Sequence, residues 1–176
     1  MDKNKKYEKA FTLIELLVVI AIIALLASIV LVALGSARLK GRMAQRIANL
    51  HQIAAALELY NSDNGGYPVA VSYRGNCPNW GSVGANNTIP GLVPTYMSTF
   101  PQDPLVSGNT NCYLYYSPTL TTYKVVIYNL TDVSAATIAS QYPAFFDPQR
   151  DGGNGQCGSP EATPTVSIWT TGATCY

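Results

Sequence analysis

Four cysteines, one histidine and a few carboxylates are the residues of this chain with chemistry to offer. The cysteines are Cys77, Cys112, Cys157 and Cys175, all in the later part of the 176 residues. None forms a CxxC pair, and His51 is the lone histidine. The usual zinc ligand sets therefore have no basis here. An even count reads instead as two disulfides made in an oxidising compartment. Three pairings are possible. The sequence-local choice joins Cys77 to Cys112 and Cys157 to Cys175. The stretch FDPQRDGGNGQCG, residues 146–158, partly echoes a calcium loop through Asp147, Asp151 and Gly152. Gln149 is off that pattern, and Gly158 stands where an EF-hand needs a glutamate. As oxygen donors, Asp147, Asp151 and Asn154 fit calcium best; a solvated Asp/Gly turn is the plainer reading. No catalytic residues emerge. His51 has no serine or cysteine motif beside it, no glycine-rich loop follows a strand, and the acids are scattered. The chain is not expected to be an enzyme.

Glu15 is the carboxylate in the strangest company. It is the only charge between Phe11 and Leu34, a run of Leu, Val, Ile and Ala. As a helix, that run would be roughly 36 Å long, enough to cross a bilayer core. A charge there is costly unless it is paired or close to water. Three readings compete. A secretory signal peptide ending at Ala37 needs an apolar core of about 7–15 residues; this one is longer and Glu15 interrupts it. An ordinary membrane anchor suits the length but gives Glu15 no task. A leader removed on the cytoplasmic side would leave the helix in place and create an amine near Glu15.

The net charge is +1, and nothing global points to nucleic acid. The charges are unevenly placed. Lys3, Lys5, Lys6 and Lys9 precede the apolar run, and Arg38, Lys40, Arg42 and Arg46 follow it. With four cations on each flank, the positive-inside rule does not choose an orientation. Beyond Gly65 only Arg74, Lys124 and Arg150 remain among the basic residues, in a segment rich in Thr, Ser, Asn, Gly, Pro and Tyr. That composition and the cysteines place the C-terminal part outside the cytoplasm.

The stretch KAFTLIELLVVIAIIALLASIV, residues 9–30, resembles the N-terminus of type IV pilins and type II secretion pseudopilins. In that family a prepilin peptidase in the membrane cuts a short basic leader just before FTLIE, and the new terminal Phe is N-methylated. The resemblance implies a cut between Ala10 and Phe11, with Glu15 fifth in the mature chain. The family carries Gly before the cut; this chain has Ala10, also small. The resemblance further implies that Glu15 pairs with the terminal amine of a neighbouring subunit and sets the axial stagger of a filament. The implied partners are identical or related subunits, the prepilin peptidase, an inner-membrane assembly platform and the lipid membrane. ALELYNSDNGGYP (56–68) and TYMSTFPQDPLVSGNTNCYLYYS (95–117) resemble the helix end and the Pro-x-Asp-Pro turn of the major pseudopilin. Pseudopilins of this class often hold calcium in a late loop, which implies Asp147, Asp151 and Asn154 as its donors here.

The elements that must position these residues follow from periodicity. Leu39, Met43, Ile47, Leu50, Ala54 and Leu57 recur at steps of three and four, an amphipathic stripe. Arg42, Arg46, Asn49, Gln52 and Glu58 are assigned to its polar faces. No proline interrupts Phe11 to Tyr67, so one helix is expected to about Tyr60. NSDNGGYP stops it. Strands are expected at 112–117, 123–130 and 165–170, with PTLTT as the hairpin link. Residues 133–142 read as a helical turn or irregular chain, and 143–164 as a loop. The expected fold is α+β: a long N-terminal helix, transmembrane then amphipathic, packed on a small antiparallel sheet, the pilin fold. The expected organisation is a leader at 1–10, a transmembrane or filament-core helix at 11–34, its amphipathic continuation at 35–62 and an extracytoplasmic domain at 63–176. A membrane-anchored binding module that never polymerises is the alternative.

Overall fold

The computed structural model describes residues 11–78, 88–149 and 163–175. Helix α1 spans Leu13–Asn64. Strands β1 (Ala70–Gly75), β2 (Cys112–Thr119) and β3 (Thr122–Tyr128) follow, then helix α2 (Ala135–Gln141), a 3-10 turn at Pro143–Phe145 and strand β4 (Val166–Trp169). The fold is α+β, as a pilin fold requires. Two compact units divide the chain, residues 1–41 and 42–176.

In the first unit every described side chain from Phe11 to Leu31 is exposed. Fifteen or more such apolar side chains in water would cost far more than a small domain's stability. This segment is therefore built for a non-aqueous setting. An 18-residue window of α1 has mean hydropathy 3.3, enough for a membrane span by length and composition.

The second unit is built on a four-stranded sheet in the order β1-β2-β3-β4, with every pair antiparallel. Successive side chains alternate between its faces. Tyr113, Tyr115, Tyr123, Val125 and Ile127 share one face, all buried. This face meets α1, where Asn49 Nδ2 donates to the Tyr113 hydroxyl at 2.9 Å. Leu114 and Val126 point the other way, into a cluster with Cys77 and Cys112 flanked by Tyr73 and Tyr128. Both faces are covered, so β2 and β3 read as nearly continuous apolar runs.

Several expectations need correction. On α1 the buried stripe is Met43, Arg46, Leu50, Ile53, Ala56 and Leu57. Leu39, Ile47 and Ala54 are only half-buried. Arg46, assigned to a polar face, is 1 % exposed, because two aspartates from distant segments neutralise it. Helix α1 runs on to Asn64 and ends at Gly65, whose φ of 72° suits only glycine comfortably. Strand β1 was not foreseen; its pairing with β2 is broken by a register shift between Ala70 and Arg74, which erases clean alternation. Gly75 closes this strand because a Cβ there would run into the Tyr113 carbonyl. The hairpin turn is tighter than PTLTT, with β2 extending to Thr119 and β3 starting at Thr122. Residues 135–141 are helical, capped by Ser134, whose hydroxyl accepts from Thr137 N.

Candidate functional site

The start of α1 is organised by one residue pair. Thr12 N and Thr12 Oγ1 both donate to Glu15 Oε2, at 2.9 and 2.8 Å. Glu15 N in turn donates to Thr12 Oγ1 at 3.3 Å. This is a reciprocal capping box, which satisfies helix donors that have no partner within the helix. Both side-chain bonds fall on Oε2, leaving Oε1 with no partner among the described residues. Phe11, 79 % exposed, sits four residues before Glu15. Thr12, which caps the helix together with Glu15, was missed in the sequence, although the T-x-x-E signal was present. Ala10 lies outside the described residues.

The cations that follow the apolar run divide into two pairs. Arg38 and Lys40 are exposed. Arg42 and Arg46 turn into the domain. Arg46 Nε and Nη2 grip Asp103 at 2.5 and 3.3 Å, and Arg46 Nη1 donates to Asp132 at 2.8 Å. Arg42 Nε donates to the other Asp132 oxygen at 2.6 Å. Burial works against the Arg46 charge, but its bonds to Asp103 and Asp132 outweigh it and hold the pKa above the ordinary arginine value. Burial likewise pushes Asp132 up, and the two arginines overcome it, so Asp132 stays below the usual carboxylate range. Asn111 completes the cluster. Its Oδ1 accepts from Arg46 Nη2 and Thr131 N, and its Nδ2 donates to Leu105 O and Thr131 Oγ1. Its φ of 53° is a left-handed conformation that asparagine tolerates. One arginine thus joins α1 to the Pro-x-Asp-Pro turn, to the start of β2 and to the segment after β3.

Cys77 and Cys112 form a disulfide, 35 residues apart in sequence. Cys175 is also disulfide-bonded, and Cys157 lies outside the described residues. Asp147 is fully buried, with its Oδ1 accepting from Lys124 Nζ at 2.9 Å and from Gln149 N at 3.0 Å. Asp151 and Asn154 lie outside the described residues. His51 is exposed on α1 and meets the Phe145 ring edge-on at 5.6 Å. Among the described residues, no group of three His, Cys, Asp or Glu side chains converges as a metal site.

The features that come together are thus an exposed apolar helix, a capped glutamate at its start and a disulfide-stapled sheet domain. No curated protein and no solved structure matches this chain. Residues 5–31 match the family model described as the prokaryotic N-terminal methylation motif, which supports the type IV pilin and pseudopilin family.

Proposed function

We propose that this chain is a pilin-like structural subunit, cut between Ala10 and Phe11, N-methylated at Phe11 and polymerised from the membrane into a type IV pilus or a type II secretion pseudopilus. The single observation that carries this reading is the N-terminal methylation motif, laid over an apolar helix segment exposed along its length. In the membrane, lipid covers that segment; in a filament, the same segments of neighbouring subunits do. The partners in this reading are prepilin peptidase, the assembly platform and other copies of the subunit.

Glu15 is the assembly contact in this scheme. Its Oε2 is engaged with Thr12, so Oε1 is the atom that meets the terminal amine of a neighbour. Pairing offsets the cost of a carboxylate in apolar surroundings. The domain that follows the helix is assigned to the outside. The Cys77–Cys112 disulfide supports this. So do the ion pairs of Arg42 and Arg46 with aspartates, which leave Arg38 and Lys40 as the exposed cations against four lysines in the leader.

Two measurements test the reading. Terminal sequencing of the mature protein is expected to begin at N-methyl Phe11; a chain still starting at Met1 refutes processing. Glu15→Ala is expected to insert in the membrane normally and to abolish filaments or reduce them greatly; wild-type filament yield refutes the pairing. Long surface fibres seen by electron microscopy identify a pilus, and short assemblies confined to the envelope identify a pseudopilus.

A further inference from the structure

Arg38 and Lys40 carry charge that no acid of the fold answers. Both are exposed, and neither forms an ion pair among the described residues. The next cations along α1, Arg42 and Arg46, are taken up by Asp132 and Asp103. The earlier pair has no such acid at hand. Between Phe11 and Gly41 the only carboxylate is Glu15, and the next in the chain is Glu58.

Their depth follows from the helix. The apolar segment from Leu13 to Leu34 is about 33 Å long as a helix, close to the roughly 30 Å of a bilayer's hydrocarbon. Arg38 and Lys40 follow Leu34 in the same helix, about 6 and 9 Å further along the axis. A headgroup layer is about 5–8 Å thick. Each Cα–Cβ bond of a helix tilts towards its N-terminus, here back towards the apolar segment, and long basic side chains carry their charge to the interface. Both charges therefore fall at the level of lipid phosphates. The helix surface is open on either side of them, since a Cβ added at Gly35 or at Gly41 would meet nothing within 4 Å. At about 100° per residue the two side chains leave nearly opposite sides of the helix, so each reaches its own phosphate. Arginine grips a phosphate with two parallel N–H bonds, and lysine meets it as a point charge. A zwitterionic headgroup brings a cation of its own beside the phosphate; an anionic one does not.

Resting on the membrane reading of this segment, we propose that Arg38 and Lys40 form a phosphate-binding collar that selects anionic phospholipid headgroups over zwitterionic ones where α1 leaves the bilayer.

The test places the full-length chain in nanodiscs of equal phosphatidylglycerol and phosphatidylcholine and reads the lipids it retains by native mass spectrometry. Phosphatidylglycerol is expected to be retained in excess. Arg38→Gln and Lys40→Gln are each expected to lower that excess about fivefold, the value of one basic residue near an anionic surface, and the double variant lowers it further. The exchange Arg38→Lys with Lys40→Arg keeps both charges and is expected to keep most of the preference. An excess that survives in the double glutamine variant belongs to other cations, such as the leader lysines, and overturns the collar. So does its loss in the charge-keeping exchange. Excess inorganic phosphate is expected to act no more strongly than chloride of equal ionic strength; if it alone erases the preference, free phosphate is the ligand and the proposal falls. An alkaline carbonate wash separates the two levels of the argument. A chain stripped from the bilayer by the wash overturns the membrane reading and the collar with it. A chain that resists the wash and shows no preference overturns the collar alone.

Discussion

Arg46 shows how far one side chain can act. It leaves the solvent entirely, carries its charge into the domain and meets Asp103, 57 residues away, and Asp132, 86 residues away. Breaking such a pair from one side leaves uncompensated charge, at a cost of about 3–5 kcal/mol. Arg46→Met is expected to lose that much stability in chemical denaturation, with Asp103 and Asp132 left unmatched. A loss below about 1 kcal/mol, the range of exposed ion pairs, would mean that the network does not stabilise the fold. This residue was illegible in the sequence for a physical reason. Helical periodicity places it at a position facing the core, but residue type argues for solvent, and the compensating acids are remote. Glu15 was the opposite case. Its oddness was local, a charge in an apolar run, so it could be singled out at once. Its Thr12 cap was equally local and could have been found from the three-residue spacing.

At the scale of elements, β2 and β3 were readable because Tyr, Val and Ile cluster there, and α1 because no proline interrupts it. Strand β1 was not, since AVSYRG lacks alternation and its pairing slips midway. These strands carry a titration signature. Burial pushes the Tyr113 hydroxyl up to about 12, an effect the hydrogen bond from Asn49 only partly offsets. Burial also raises Tyr115 and Tyr123. Folded-state values above the unfolded value of 10.0 mean that the unfolded chain releases these protons first. Their contribution is therefore intact below pH 10 and is lost as pH rises towards 12, at about 1.4 kcal/mol per unit for each tyrosine. Alkaline unfolding followed by circular dichroism is expected to coincide with a steep rise in tyrosinate absorbance. A gradual absorbance rise centred near pH 10, with the fold unchanged, would contradict this burial.

At the scale of the whole molecule, the chain joins a segment that cannot face water to a domain that can. The fold class and the long helix were legible because hydropathy and periodicity are properties of short windows. The pairing of Asp147 with Lys124 was not: the two lie 23 residues apart and only the fold brings them together. The disulfide was accessible to simple proximity reasoning, because Cys77 and Cys112 bracket a segment that leaves the sheet and returns to it. In the chain-entropy model, closing that loop stabilises the fold by about 4 kcal/mol. Cys77→Ser is expected to lower stability by about 2–4 kcal/mol in denaturant titrations; a midpoint equal to that of the unaltered chain would deny the bond that role.

The same bond has a consequence for a chain that has been nicked. A protease that nicks the backbone between residues 78 and 111 severs the peptide chain but not the molecule, because Cys77 and Cys112 still hold both pieces. Such a subunit would migrate as one band without reductant and as two with it. Cleavage there scars the chain without parting the sheet domain from the apolar helix.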